Sequence, residues 1–321
     1  MADRPSLLAD IGGTNTRVAL EQDGVIDRAT IRRYANAENP DLSAILRKYL
    51  AEVGVASCKG ACVAVAGPVQ DGRAEMTNLD WVITPEAVAE ATGAGQVAII
   101  NDLQAQGHAL DRLKPESLRQ VLPGAAERRP GARLVVGVGT GFNAAPVHRT
   151  RRGLLVAASE CGHASLPVRS DADVRLARHV EEAAHGFAGV EDVLSGRGVA
   201  RLYGWVAEEA GQPGDLPTAE VIKRINAGGD PLAARTCEMF VTLLGRVAGD
   251  LALVHLPFQG LYLIGGVARA FSPYFAKGFT SAFRDKGRFS DFMDDFPVYI
   301  IEDDYAALEG CADHLGALMA D

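Results

Sequence analysis

The sequence predicts a two-lobed α/β protein, and three observations carry that expectation. The first is length: 321 residues are more than one small core comfortably serves, and 48% hydrophobic with 23% charged residues is the balance of an ordinary globular chain. The second is a repeat. Residues 7–20 (LLADIGGTNTRVAL) read as strand, glycine turn, strand, and residues 134–147 read the same way around Gly139-Thr140-Gly141. The third is alternation: apolar strands ending in polar residues or glycines are followed by helical spacing, the pattern of an α/β sheet that binds ligands at the carboxyl ends of its strands.

In the opening stretch Leu7-Leu8-Ala9 leads to Asp10, the chain turns at Gly12-Gly13-Thr14-Asn15, and Val18-Ala19-Leu20 returns. Adjacent glycines let an anion approach the backbone N–H groups, and Thr14 and Asn15 add short donors. Asp10 sets a carboxylate where a bound nucleotide brings Mg²⁺, directly or through water. Taken alone, the stretch serves equally well as a plain hairpin with a solvated Asp10. A third strand follows over 26–34, then a helix over 40–53 with apolar residues at Leu42, Ile45, Leu46, Tyr49 and Leu50. A buried strand over 62–66 stops at Gly67-Pro68, and 76–81 is a polar turn carrying Trp81. Residues 96–100 form a strand running into Asn101-Asp102, with a helix over 104–113 behind it.

A loop rich in Pro, Gly, Arg and Glu over 114–133 is read as the domain boundary, which gives lobes of 1–112 plus 303–321 and of 113–302. The second Gly-Thr turn follows, between strands over 134–138 and 144–147. Next come an amphipathic helix over 174–186 and helical spacing over 199–254, broken near 211–214 and 228–231. A buried strand over 261–264 ends in Gly265-Gly266 and opens a helix over 267–275; such a glycine pair offers N–H groups and a flat approach to a nucleotide. A strand over 298–301 and a helix over 305–318 close the chain. Trp81 and Trp205 read as packing residues, and the stripe Leu243, Val247, Leu251, Val254 as either core or subunit contact.

The net charge of −9, with no basic run, argues against a nucleic-acid partner. MADRPSLLAD is too interrupted for a signal peptide, and no window approaches the roughly 20 apolar residues of a membrane helix. Five cysteines (Cys58, Cys62, Cys161, Cys237, Cys311) are odd in number, scattered and without a CxxC pair. They read as reduced thiols of a cytoplasmic protein, not as a disulfide frame or a zinc site.

The order of LLADIGGTN, AGPV, MTNLDW, IIND, GVGTG, ECGH, EDVLSGRG and LYLIGGVA resembles that of the bacterial glucokinases of the hexokinase, actin and Hsp70 superfamily, over Leu7 to about Leu318. The resemblance implies a two-lobed actin-like ATPase (ribonuclease H-like) fold with the active cleft between the lobes. It further implies ATP-dependent phosphorylation of glucose at the 6-hydroxyl, MgATP as the phosphate source, and a homodimer. By the same resemblance Asp102 is the general base, Asn101 holds neighbouring hydroxyls, and Glu160, His163 and Glu191 bind the sugar. Ala9, Asp10, Ile11, Gly12, Gly13 and Thr14 match one phosphate segment, Gly139, Thr140 and Gly141 the second, and Gly265 and Gly266 the adenosine segment.

These residue types suit the chemistry, because phosphoryl transfer chiefly requires two substrates to be positioned, phosphate charge to be neutralised and one proton to be accepted. Carboxylates accept from the adjacent hydroxyls of a polyol, and imidazole donates or accepts. Without the other motifs Asp102 would read as a solvated strand-end acid or helix N-cap, and His163 as a core histidine. Two departures from the family stand out. Phe142-Asn143 replaces a small apolar residue and a glycine; Phe142 is expected to bury its ring, and Asn143 to supply the left-handed backbone that glycine allows and an amide able to donate to a phosphate or hydroxyl oxygen. Arg197 stands where relatives often have Pro, and is expected to affect only a loop. Two rivals are a kinase of the same fold acting on another hexose or an amino sugar, and a sugar-sensing regulator without turnover. The regulator would carry an added DNA-binding segment or a damaged base, whereas this sequence opens at the phosphate hairpin with Asp102 intact.

Overall fold

The computed structural model describes residues 4–320 apart from 77, 78, 128 and 152. Its packing divides the chain into two compact units, Met1–Pro115 with Arg149–Ala158 and Asp303–Asp321, and Glu116–His148 with Ser159–Glu302.

The first unit is built on a sheet ordered β3-β2-β1-β4-β8, with β1 Ser6–Ile11, β2 Asn15–Gln22, β3 Val25–Ala35, β4 Gly60–Val65 and β8 Gln96–Asn101. β1 pairs antiparallel with β2 and parallel with β4, which in turn pairs parallel with β8. A smaller sheet joins β5 Val69–Gln70, β6 Arg73–Glu75 and β7 Val82–Ile83 beside the expected 76–81 turn, of which Thr77 and Asn78 lie outside the described residues. Helix α1 (Leu42–Val53) starts where Asp41 accepts from the Ala44 N–H and stops at Gly54 in the left-handed region; α2 (Pro85–Thr92) follows a Thr84 cap. The two-residue period of β1 sends Leu7, Ala9 and Ile11 to the face covered by Ile45, Leu46 and Tyr49. Leu8 goes to the opposite face, covered by Leu308, Cys311 and Leu315 of α10 (Ala306–Ala320), and Asp10 shares that face. Helix α3 (Asp102–Ala109) packs there too. It crosses α10 so closely that a Cβ on Gly310 would run into the Ala105 carbonyl.

In the second unit the strands run β11-β10-β13-β14-β9: β9 Leu118–Leu122, β10 Arg133–Val138, β11 Phe142–Thr150, β13 Leu261–Ile264 and β14 Val298–Ile301. The repeat expected from the sequence is present. β10 and β11 form an antiparallel hairpin, and β10 pairs parallel on its other side with β13, as β1 does with β4. The far end of β11, from Arg149, and β12 (Gly153–Val156) belong to the first unit, where Gln104 Nε2 donates to the Val156 carbonyl at 3.0 Å. The 114–133 loop needs correction, because it contains β9, an antiparallel edge strand on β14. Five residues between turn-rich flanks were too few to register as a strand by periodicity.

The helices of this unit are α4 Asp171–Ala183, α5 Gly196–Glu209, α6 Thr218–Ala227, α7 Pro231–His255, α8 Gly266–Phe271 and α9 Phe279–Arg284. The α7 stripe is mostly core: Leu243 and Val247 are buried and Leu251 packs against the same cluster, whereas Val254 is 71% exposed. Trp81 and Trp205 are buried, as expected of packing residues.

Candidate active site

At the end of β8 the Asn-Asp pair becomes a helix start. Asn101 is the cap: its Oδ1 accepts from the Leu103 N–H at 3.0 Å, its own N–H donates to Gln104 Oε1 at 3.1 Å, and its Nδ2 donates to the Gly67 carbonyl at 3.1 Å. Asp102 is therefore the first helical residue, and its Oδ1 accepts from the Leu103 N–H at 2.9 Å. Burial, and then the charge of Asp10, push its pKa up to about 7, against the pull of that N–H. Asp10 and Arg17 are direct cross-strand partners in the hairpin, and Arg17 Nη1 donates to Asp10 Oδ2 at 3.0 Å. Burial raises the Asp10 pKa as well, with Arg17 opposing it. Two neighbouring acidic groups both raised by burial, one of them further by the charge of the other, are a signature of a functional site.

The turn after β1 closes with the Gly12 N–H donating to the Asn15 carbonyl at 3.0 Å. Buried Asn36 pins it: Nδ2 donates to the Gly12 carbonyl at 2.8 Å, Oδ1 accepts from the Thr16 hydroxyl at 2.8 Å, and its N–H donates to the Thr14 carbonyl at 2.9 Å. Gly13 and Thr14 are left exposed, with Gly12 half-buried. The side chains of Ala9 and Ile11 are wholly in the core, so only their backbone is available to a ligand.

In the second unit the Gly139-Thr140-Gly141 turn organises the acidic residues. The Gly139 N–H donates to the Gly141 carbonyl at 2.9 Å, and Phe142 buries its ring, as expected. Asn143 departs from expectation. It sits in β11 opposite Gly137, and the described non-glycine residues with positive φ are Asp23, Asp71, His185 and Leu256, so the turn does not use a left-handed residue there. Its amide acts instead as a hub. Nδ2 donates to the Ser159 carbonyl and, at 3.2 Å, to Glu160 Oε2; Oδ1 accepts from the Cys161 N–H at 3.2 Å and the Ser159 hydroxyl at 3.1 Å.

Glu191 is tied to the same turn, its Oε2 accepting from the Phe142 N–H at 2.9 Å while its own N–H donates to the Gly162 carbonyl at 2.8 Å. Glu160, Gly162 and Glu191 are thus fixed around one hairpin end. His163, at the end of the short turn Cys161–His163, is exposed and not a core histidine. Arg197 also needs correction. It lies in the first turn of α5 and forms an ion pair through Nη2 with Glu191 Oε1, so it touches a candidate sugar residue and is no mere loop substitution.

β13 ends at Gly265, with φ of 107° and so close to β10 that a Cβ would strike the Val138 carbonyl, a position only glycine fills without strain. That contact sets Gly266 beside Gly139 and Thr140 on the wall of a cavity of about 510 Å³. A larger hollow of about 630 Å³ along α5 contains none of the motif residues, and its His179 and Arg201 are paired with Glu208 and Asp192 at 3.0 Å each.

A family model described as Glucokinase matches residues 7–317. The chain belongs to the glucokinase family. Among curated relatives named Glucokinase, that of Chromobacterium violaceum is 37% identical over 324 residues, covering 98% of this chain and 90% of the relative. That of Mesorhizobium japonicum is 34% identical over 310 residues, covering 96% and 90%. A crystal structure of glucokinase from an Antarctic psychrotroph superposes with a TM-score of 0.84 at 32% identity, covering 98% of this chain and 99% of that one. The fold is accordingly the two-lobed actin-like ATPase fold of these sugar kinases.

Within this glucokinase-family site the motif reading passed over Arg17, Asn36 and the engagement of Arg197. Arg17 had a signal: a turn over 12–15 puts it directly across from Asp10. Asn36 had none, since it reaches the turn from the far end of β3 through tertiary contact alone.

Proposed function

We propose that this protein transfers the γ-phosphoryl group of ATP to the 6-hydroxyl of glucose, giving glucose 6-phosphate and ADP. The observation that carries the reading is Asp102 at the start of α3, a half-buried carboxyl pushed up to about 7 beside Asp10, in a chain matched by the glucokinase model over 7–317. A base with its pKa near the working pH combines a useful ionised fraction with enough basicity to take a hydroxyl proton.

In this reading Asp102 accepts the proton of the 6-hydroxyl as the phosphoryl group is transferred. Glu160, Glu191 and His163 hold other hydroxyls. Asn101 holds Asp102 in place through the helix cap and faces the neighbouring hydroxyls. The phosphates lie on residues 9–14 and Gly139, Thr140 and Gly141, with the adenosine on Gly265 and Gly266. The functional lobes are 1–112 with 303–321, and 113–302. Mg²⁺ suits Asp10, because its charge already raises the pKa of neighbouring Asp102, a place favourable to a cation, and Arg17 engages only Oδ2. Bound there with the nucleotide, the ion would neutralise phosphate charge. Among the described residues no three His, Cys, Asp or Glu side chains converge, so phosphate oxygens and water would complete its shell.

We further infer a cytoplasmic homodimer. Because Leu243 and Val247 are spent on the core, the dimer surface lies elsewhere, and light scattering at twice the monomer mass tests it. The activity is tested by coupled ADP release across a panel of hexoses and amino sugars. Glucose is expected to give the highest kcat/KM. A protein that binds glucose without releasing ADP would overturn the reading in favour of a sugar sensor, and a higher kcat/KM on another sugar would reassign the substrate.

A further inference from the structure

The 510 Å³ cavity is lined by Gly139, Thr140, Gly196, Arg197, Gly266 and Val267, and of these only Arg197 carries a charge. An uncharged wall of glycine backbone and one hydroxyl can direct a polyphosphate but cannot neutralise it, and the chain as a whole is at −9. The Arg197 side chain is 61% exposed, so it is free to turn toward a ligand. Its guanidinium is also only partly committed. Nη2 meets Glu191 Oε1, and a guanidinium has five N–H donors in a planar fork suited to phosphate oxygens. Glu191 does not depend on it for position, because its other oxygen is held by the Phe142 N–H.

We propose that Arg197 is a nucleotide-phosphate ligand that shares its guanidinium between Glu191 and a phosphate of the bound adenine nucleotide. The inference rests on the kinase reading above and adds to it the one cation of the nucleotide cavity wall. A link to the nucleotide follows for Glu191: whatever pulls on its carboxylate also moves the arginine that holds the phosphate.

The test is calorimetric titration of ADP and of adenosine into wild type, Arg197→Ala and Arg197→Lys, with circular dichroism to confirm folding. Loss of a charge-assisted contact at an exposed site is expected to weaken ADP by about fivefold to twentyfold. Adenosine, which has no phosphate, should bind within twofold of wild type, and Arg197→Lys should recover part of the ADP affinity. The wild-type Kd for ADP should also rise more steeply with salt than that of Arg197→Ala. Unchanged ADP binding in Arg197→Ala, or equal loss of ADP and adenosine, would overturn the inference and leave the kinase reading standing. A wild-type protein that binds neither ligand would overturn both.

Discussion

Asn143 donates from Nδ2 to Oε2 of Glu160 at 3.2 Å, so it orients a carboxylate that is proposed to bind the sugar. Asn143→Gly is expected to stay folded and to raise the glucose KM about threefold to tenfold, of the order of one hydrogen bond to a charged group in a partly exposed place. The ATP KM should remain within twofold. Initial-rate kinetics decide this, and an unchanged glucose KM would reduce Asn143 to a filler of the turn.

Asp102 gives a prediction with two readouts. As a base with a pKa of about 7 it must be ionised to work, so kcat/KM for glucose should fall as the pH drops through about 7. Asp102→Asn should lower kcat by about 10²-fold or more while glucose binding changes only a few-fold. Stability moves the other way. The folded pKa lies above the ordinary 3.8, so the stabilising contribution is full below that value and is lost as the pH rises through about 7. Thermal melts should therefore show Asp102→Asn gaining Tm at pH 8 and little at pH 5. A Tm difference independent of pH would mean that the carboxyl titrates normally.

Glu160 and Glu191 should separate in kinetics. Glu160 is tied to Asn143 alone among the groups of the turn, so Glu160→Ala should raise the glucose KM by tenfold or more and spare the ATP KM. Glu191 also fixes the Phe142 N–H and pairs with Arg197, so Glu191→Ala should raise both. Equal behaviour of the two variants would argue against this division.

A remote substitution should reach the base. A Cβ on Gly310 meets the Ala105 carbonyl of α3, so Gly310→Ala must push α10 away from the helix that begins at Asp102. Overpacking of this kind costs about 1–3 kcal/mol, and kcat should fall although the substitution touches neither substrate. Urea unfolding and steady-state rates measure the two effects; an unchanged midpoint would mean that the helices part freely.

How much of this was legible in the sequence depended on the range of the interaction involved. Asp10, Gly12, Asp102 and the second glycine turn could be read because strands, turns and helix starts leave local patterns, and so could the hairpin repeat. Register was half-legible: the turn length fixes Asp10 opposite Arg17, a relation that follows from counting across the hairpin. Asn36 was not legible, since only the folded sheet brings it to the first turn, and the Arg197–Glu191 pair, although only six residues apart, depends on how the chain turns through Ser195 into α5, which no periodicity marks. Asn143 was misread because glycine was taken to mark positive φ, whereas here the position lies in an extended strand. β9 was hidden by its composition, five residues with charged and polar members at a sheet edge.

The face of the first sheet that carries Leu8, Cys62 and Ala64 is roofed by α10, whose residues 306–320 are made only after the second unit. On a ribosome adding about 5–20 residues per second, β1 to β8 of this unit are made before residue 116 and then wait, with that face covered only by α3, while the second unit is synthesised. The second unit, encoded later, is complete in its own core before the first one is. The unit that begins first can thus be completed only second, and Asp102, the proposed base, has no finished scaffold until the second unit has been made. Until α10 docks, the nascent first unit exposes apolar surface of the kind that makes folding intermediates prone to aggregate, and docking of that helix is the step that ends the exposure.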